Sequence, residues 1–168
     1  GALTLKEFRF QTRVWYLKDT PSVCAGCTRG CNVMIGVGQQ QVLMTTQGQL
    51  DDGIKRIVPR FNEAVNGHWI CDEGRYGFGF VDAATRLTTL ADDTLTAVVD
   101  ALRRYSPDEI AVLASPQMAN EDLMALKRLL EHRGIRQVAF AVPPAVAGHD
   151  DDFLLRADRN PNTRGAEL

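Results

Sequence analysis

Two patterns of apolar positions divide the chain. Up to about residue 80 they alternate or form short β-rich runs, and from residue 92 they recur at helical spacing. Phe8, Phe10, Val14 and Tyr16 share one side of a period-two pattern, which predicts an edge or half-buried strand over 8–17, ended by Pro21. Asn32 to Val37 and Gln41 to Thr46 predict two short strands joined by a hairpin at Gly38-Gln39-Gln40, and Ile54 to Val58 predicts another before Pro59. Further on, Leu95, Val98, Val99 and Leu102 follow Asp92 and Asp93 and predict a helix that ends before Pro107. Ile110 to Ala114 has strand length. Asn120 is placed to cap a second helix through Arg133, Gly134 to stop it, and Gln137 to Val142 is again strand-like. The order αβαβ predicts two short buried parallel strands joined by a helix, the start of a doubly wound sheet too short to be complete. From Pro143 to Leu168, Pro, Gly, Asp and Asn surround one apolar island, Phe153-Leu154-Leu155, and predict an extended or loop-like tail.

The expected fold class is therefore α+β with an α/β part: a small β-rich domain over 1–90, a partial βαβ unit over 91–142, and a tail over 143–168. A length of 168 residues fits one ordinary domain or two small ones. With 45% hydrophobic and 24% charged residues, wholesale disorder and fibrous architectures are excluded. Nineteen Lys and Arg against 21 Asp and Glu give a net charge of -2, which lacks the basic excess that nucleic-acid binding needs. The most apolar stretch, Val138 to Gly148, is broken by Pro143 and Pro144 and is shorter than the roughly 20 residues of a membrane-spanning helix, so no direct membrane insertion is expected. The first residues carry no initiator Met, basic region or cleavage pattern, and the expectation is an excised piece without a secretory signal.

The cysteines change the picture. Cys24, Cys27, Cys31 and Cys71 are spaced C-x2-C-x3-C-x39-C, and no cysteine follows them. A disulfide framework is unexpected where three thiols crowd into eight residues of a chain this long. Structural zinc usually takes two C-x2-C knuckles, whereas three thiolates in one loop plus a remote fourth suit the corners of a cubane 4Fe-4S cluster. The cluster is the favoured expectation, with zinc and unligated or disulfide-bonded cysteines as the alternatives. Gly26 and Gly30 allow a tight loop, and Arg29 either favours a reduced cluster electrostatically or is a solvated surface residue. Other signals are weaker. Gly74, Gly77 and Gly79 reverse the order of a dinucleotide fingerprint and read as backbone freedom beside the cluster. His68 is a spare ligand that four cysteines make unnecessary, and His132 and His149 have no partner at catalytic spacing. Ser115-Pro116 reads as a turn into a helix, and Asp150-Asp151-Asp152 as a solvated loop. No nucleophile, base and orienting acid come together, so hydrolytic catalysis is not expected.

The segments CAGCTRGC at 24–31 and NEAVNGHWICDEGRYG at 62–77 resemble the pair that holds the additional 4Fe-4S cluster in the large iron-sulfur subunit of respiratory complex I, the NADH-quinone oxidoreductase. Gly1-Ala-Leu-Thr4, Phe8-Arg9-Phe10, Arg13-Val14-Trp15 and the tail LLRADRNPNTRGAEL at 154–168 resemble segments of the same family, while 92–142 matches only in its generic pattern. The resemblance implies an electron-transfer fragment with Cys24, Cys27, Cys31 and Cys71 on the iron of a cluster away from the main electron route. It also implies no catalytic site in this chain alone. The implied partners are other peripheral-arm subunits, including the flavin-bearing NADH-oxidising one, and the implied location is the cytoplasmic side of the inner membrane. Molybdopterin-dependent oxidoreductases such as formate dehydrogenases share the cysteine pattern and are the alternative. They usually place a Lys two residues after the fourth cysteine, where this chain has Glu73. An anion there disfavours both a reduced cluster and an anionic pterin, so no molybdopterin is expected. A zinc-stabilised assembly module without redox activity is the alternative from a different class.

Overall fold

In the computed structural model of the chain, which describes residues 6, 8–9, 11–38, 53–87, 89, 91–140, 150–151 and 153–167, Val33 is fully buried at the centre of the first part. It lies on β2 (Asn32–Gly38), the middle strand of an antiparallel sheet between β1 (Leu17–Val23) and β3 (Ile54–Pro59). The alternation that buries Val33 on this strand follows from the period of two, which sends successive side chains to opposite faces. The register places Asp19 of β1, Gly36 of β2 and Arg56 of β3 in one row. Asp19 and Arg56 form an ion pair at 3.1 Å over the middle strand. A Cβ on Gly36 would stand 2.9 Å from the Asp19 carboxylate and 3.1 Å from Cγ of Arg56, so only glycine leaves room for that pair to cross. Beside it the register of β2 and β3 shifts, with Gly36 opposite Arg56 and Val37 opposite Ile54, a bulge at Lys55.

The first strand begins where it was expected to end. Residues 8 and 9 lie in a turn, Val14–Tyr16 form a 3-10 turn, and β1 starts at Leu17 and runs through Pro21. Proline was expected to stop the strand, but β1 is an edge strand, where a missing N–H need not interrupt the ladder. The expected strands at β2 and β3 are present, while 41–46 and the hairpin beyond Gly38 fall outside the described residues. A short helix, α1 (Asp72–Tyr76), follows, and a 3-10 turn over Gly77–Phe80 continues it.

The second part has α2 (Asp92–Arg104), β4 (Ala111–Ala114), α3 (Asn120–Arg133) and β5 (Gln137–Phe140), in the predicted order. The strands β4 and β5 are parallel, with Ala111 opposite Gln137. Gly134 ends α3 at a φ of 70°, a left-handed position that glycine adopts without a steric penalty. Asn120 does not cap α3. The capping position is Ala119, and the Asn120 side chain accepts a hydrogen bond from Nδ2 of Asn162 at 2.9 Å. The strands were expected to be buried and are not: β5 is exposed along its length, and Leu113 of β4 is 72% exposed. Two strands and one helix form only one interface, centred on Leu130 and Ile135. The tail is a loop from 153 that ends in α4 (Thr163–Glu167), a helix the sequence pattern did not predict.

Candidate metal centre

The link between β1 and β2 carries three of the four cysteines. Its ends are joined by a hydrogen bond from the Cys24 N–H to the Cys31 carbonyl at 2.8 Å, so residues 24–31 form a closed loop at the sheet edge. Gly30 turns the chain at a φ of 66°. Arg29 is half-buried rather than solvated: its Nε donates to the Val65 carbonyl at 2.8 Å and ties the loop to the segment that leads to Cys71.

That segment is held by a residue the sequence analysis passed over. Asn66, buried with 4% exposure, accepts from the Asn32 N–H at 2.9 Å and donates from Nδ2 to the carbonyls of Trp69 at 3.0 Å and Arg60 at 3.3 Å. One side chain thus connects the start of β2, the end of β3 and the approach to Cys71. The dipeptide Asn66-Gly67 was the available signal, because Asn-Gly marks a turn, and Gly67 has a φ of 52°. Cys71 then precedes α1, and its Sγ accepts from the Gly74 N–H at 3.4 Å. Gly74 is buried against the cysteine loop, where a Cβ would stand 3.0 Å from Sγ of Cys24 and 3.0 Å from Ile70. This glycine lets the Cys71 segment close on the Cys24 loop. Gly77 and Gly79 have open space where a Cβ would be and no left-handed φ, so the expected backbone freedom is not used at these two positions.

A third segment reaches the site from the tail. The Asp158 carbonyl accepts from the Thr28 N–H at 3.0 Å, next to Cys27. Arg159 forms an ion pair with Glu73, two residues beyond Cys71. The strap is knotted internally. Asp158 accepts from Thr163 Oγ at 2.7 Å and from the N–H and Nδ2 of Asn160 at 3.0 and 2.9 Å. It is also tied to the second part, since the Asn162 N–H donates to the Pro116 carbonyl at 3.0 Å and Gln117 donates to the buried Asn160 at 3.2 Å. Ser115-Pro116 is the expected turn, with Ser115 Oγ accepting from the Gln117 N–H. Asp151 organises the loop rather than merely facing water: its Oδ1 accepts three backbone N–H groups, from Phe153, Leu154 and Leu155. These bonds hold its carboxyl below the usual range, that of Leu154 contributing most.

All four cysteines are free thiols, with Cys27 and Cys31 buried and Cys24 and Cys71 half-buried. They lie within one another's electrostatic field. Burial, followed by the charges of Cys24, Cys27 and Cys71, pushes the Cys31 thiol up to about 11, against a smaller opposing effect from Arg29. Cys24 is likewise raised, mainly by burial, with a hydrogen bond from the Gly26 N–H opposing it and Cys71 and Cys27 adding to it. Four soft donors on two segments, mutually unfavourable as bare thiolates, form a donor set that fits a cationic iron-sulfur core. Among the described residues no group of three or more His, Cys, Asp or Glu is arranged to hold a single metal ion. His68 is exposed and packs against Phe61, with ring centroids 4.4 Å apart.

Residues 17–79, which contain all four cysteines, match the family described as the NADH-ubiquinone oxidoreductase NDSU1/NuoG-like 4Fe-4S domain. Over these residues the chain is similar to that family. Curated relatives of the NuoG-like domain extend the likeness beyond it. The chain is 31% identical over 153 residues to the mitochondrial NADH dehydrogenase (ubiquinone) iron-sulfur protein 1 of Solanum tuberosum, covering 82% of this chain and 19% of that protein. It is 32% identical over 127 residues to a subunit of the NADH-quinone oxidoreductase of Pseudomonas putida, covering 70% of this chain and 12% of the relative. With the subunit of the same name from Rickettsia felis the identity is 27% over 145 residues, 80% of this chain and 20% of the relative. The chain thus spans about a fifth or less of these relatives. No helix among the described residues is long and apolar enough to cross a membrane.

Proposed function

We propose that Cys24, Cys27, Cys31 and Cys71 bind one 4Fe-4S cluster and that the chain is an electron-transfer part of an NADH-quinone oxidoreductase subunit. The observation that carries this is the NuoG-like family match over 17–79, whose span contains four free thiols in one another's field. The cluster, when bound, supplies one-electron chemistry at a single site. The residues of the chain supply the rest. The loop over 24–31 presents three thiolates, Asn66 and Gly74 seat the fourth, and Arg29 lowers the cost of negative charge at Cys31. No molybdopterin is assigned to the chain. Its domains are taken as 1–90 around the cluster and 91–142 as the α/β part, with 143–168 as the connecting tail. The partners are the other peripheral-arm subunits, with NADH oxidised by the flavin-bearing one, and the location is the cytoplasmic side of the inner membrane. No catalytic site belongs to the chain alone.

The test is iron and acid-labile sulfide analysis of anaerobically prepared protein, with electron paramagnetic resonance after reduction. About four iron and four sulfide per chain, with reduction by NADH only when the flavin-bearing partner is present, are expected. Zinc as the sole metal after careful reconstitution overturns the reading in favour of a non-redox module, and stoichiometric pterin overturns it in favour of a formate-dehydrogenase-like enzyme.

A further inference from the structure

The loop between β4 and α3 is occupied by the chain's own tail. Asn162 donates its N–H to the Pro116 carbonyl at 3.0 Å, and its Nδ2 to the Met118 carbonyl and to Oδ1 of Asn120, each at 2.9 Å. Gln117 donates from Nε2 to Oδ1 of the buried Asn160 at 3.2 Å. The carboxyl end of a strand in an open parallel sheet is the edge at which such folds hold ligands. Here it holds residues 160–162, and through Asp158 they reach the cysteine loop. The Asp158 carboxylate accepts from the N–H and Nδ2 of Asn160 and from Oγ1 of Thr163, while its carbonyl accepts from the Thr28 N–H, next to the buried Cys27. Other bonds of the loop over 24–31, from the Cys24 N–H to the Cys31 carbonyl and from Arg29 Nε to the Val65 carbonyl, fall at its ends and at Arg29. The bond to Asp158 falls beside Cys27.

We infer that the α/β part buttresses the cysteine loop through this strap, with Asp158 and Asn162 as positioning residues of the proposed cluster. The inference rests on the cluster assignment above and gives residues beyond the 17–79 match a part in it. Groups outside the ligand set orient the ligands, and they do so well only when they are themselves held in place. Asp158 is held in this way. Its three side-chain bonds and the seating of Asn162 at the end of β4 restrict the segment before it meets Thr28, so little further ordering is needed to keep the acceptor at the loop.

The test uses the complete subunit assembled in its complex and loaded with cluster. Asp158→Ala removes the three side-chain bonds and should release iron to a chelator about fivefold faster, the size of effect that one lost hydrogen bond gives. The line shape of the reduced cluster in electron paramagnetic resonance should change with it. Asp158→Asn, which keeps an acceptor oxygen, should recover most of both. Asn162→Ala, at the far end of the strap, should speed release about threefold while amide exchange of α3 stays as in the wild type, and it carries the test if Asp158→Ala does not load. Wild-type release and line shape in loaded Asp158→Ala, equal behaviour of the Ala and Asn variants, or unaltered release in Asn162→Ala each overturn the inference. A wild-type protein without iron and sulfide instead overturns the cluster assignment, so the two failures are distinguishable. The strap is then read from the Thr28 amide, whose exchange should still be about fivefold faster in Asp158→Ala; unchanged exchange there overturns the buttress as well.

Discussion

The cluster part over 17–79 and the α/β part over 91–140 are of similar size but are held together in different ways. The first has few fully buried apolar side chains, and its loops are fastened by polar ties: Asn66 to three segments, Arg29 to Val65, and Asp19 to Arg56 across Gly36. The second is built from good helices on a short parallel sheet. Both parts leave apolar residues in water, Trp69 at 61% in the first and Leu113 at 72% in the second. Among the described residues, however, the second buries only Leu130 and Ile135 where the first buries Leu17, Val33 and Ile70. Organisation by a bound group does not need a large core, because metal ligation contributes folding free energy directly. Organisation by hydrophobic layers does need one, and a two-stranded sheet offers too little surface to build it. The two parts should therefore respond to different perturbations.

Four substitutions separate them, in decreasing order of effect. Cys31→Ser should abolish or convert the cluster and loosen the 17–79 fold while the helices over 92–104 and 120–133 persist, checked by iron content together with amide exchange of the two parts. Equal loss of protection in both parts would show that they fold as one unit. Asn66→Ala leaves the part-buried Asn32 N–H unpaired and should cost about 2 kcal/mol in urea unfolding of the cluster part. Gly74→Ala drives a methyl against Sγ of Cys24 and Ile70, and about 2 kcal/mol together with slower cluster uptake is expected. Leu113→Glu, on the bare face of β4, should change the stability of the chain by less than about 0.5 kcal/mol. A large loss there would mean that Leu113 is covered, and the contrast between the two parts would fall.

Much of this was legible locally. The period of 3.6 located both long helices, and Gly134 marked the end of the second, because a helix satisfies its backbone from its own segment. The cysteine spacing singled out the four thiols before any fold was known. What escaped was long-range. The end of β1 was misplaced because Pro21 stops a central strand but not an edge strand, and strand order is not a local property. Asn66 acts on residues up to 34 positions away and Arg159 on one 86 positions away, and no window of sequence contains either pairing. The tail read as featureless because its Asn, Asp and Pro residues signal turns without saying what the turns grip.

The strap over 158–160 also has a place in the timing of synthesis. Cys71 leaves the ribosome 88 residues before Arg159. At about 5–20 residues per second, roughly 4 to 18 s pass in which all four thiols exist and the segment that clamps them has not been made. Within that interval the bond from the Thr28 N–H to the Asp158 carbonyl and the Glu73–Arg159 pair do not yet exist, so under the proposed assignment iron and sulfide reach the thiols before the strap is tied. The order of the residues along the chain thus puts the thiols first and their fastening last.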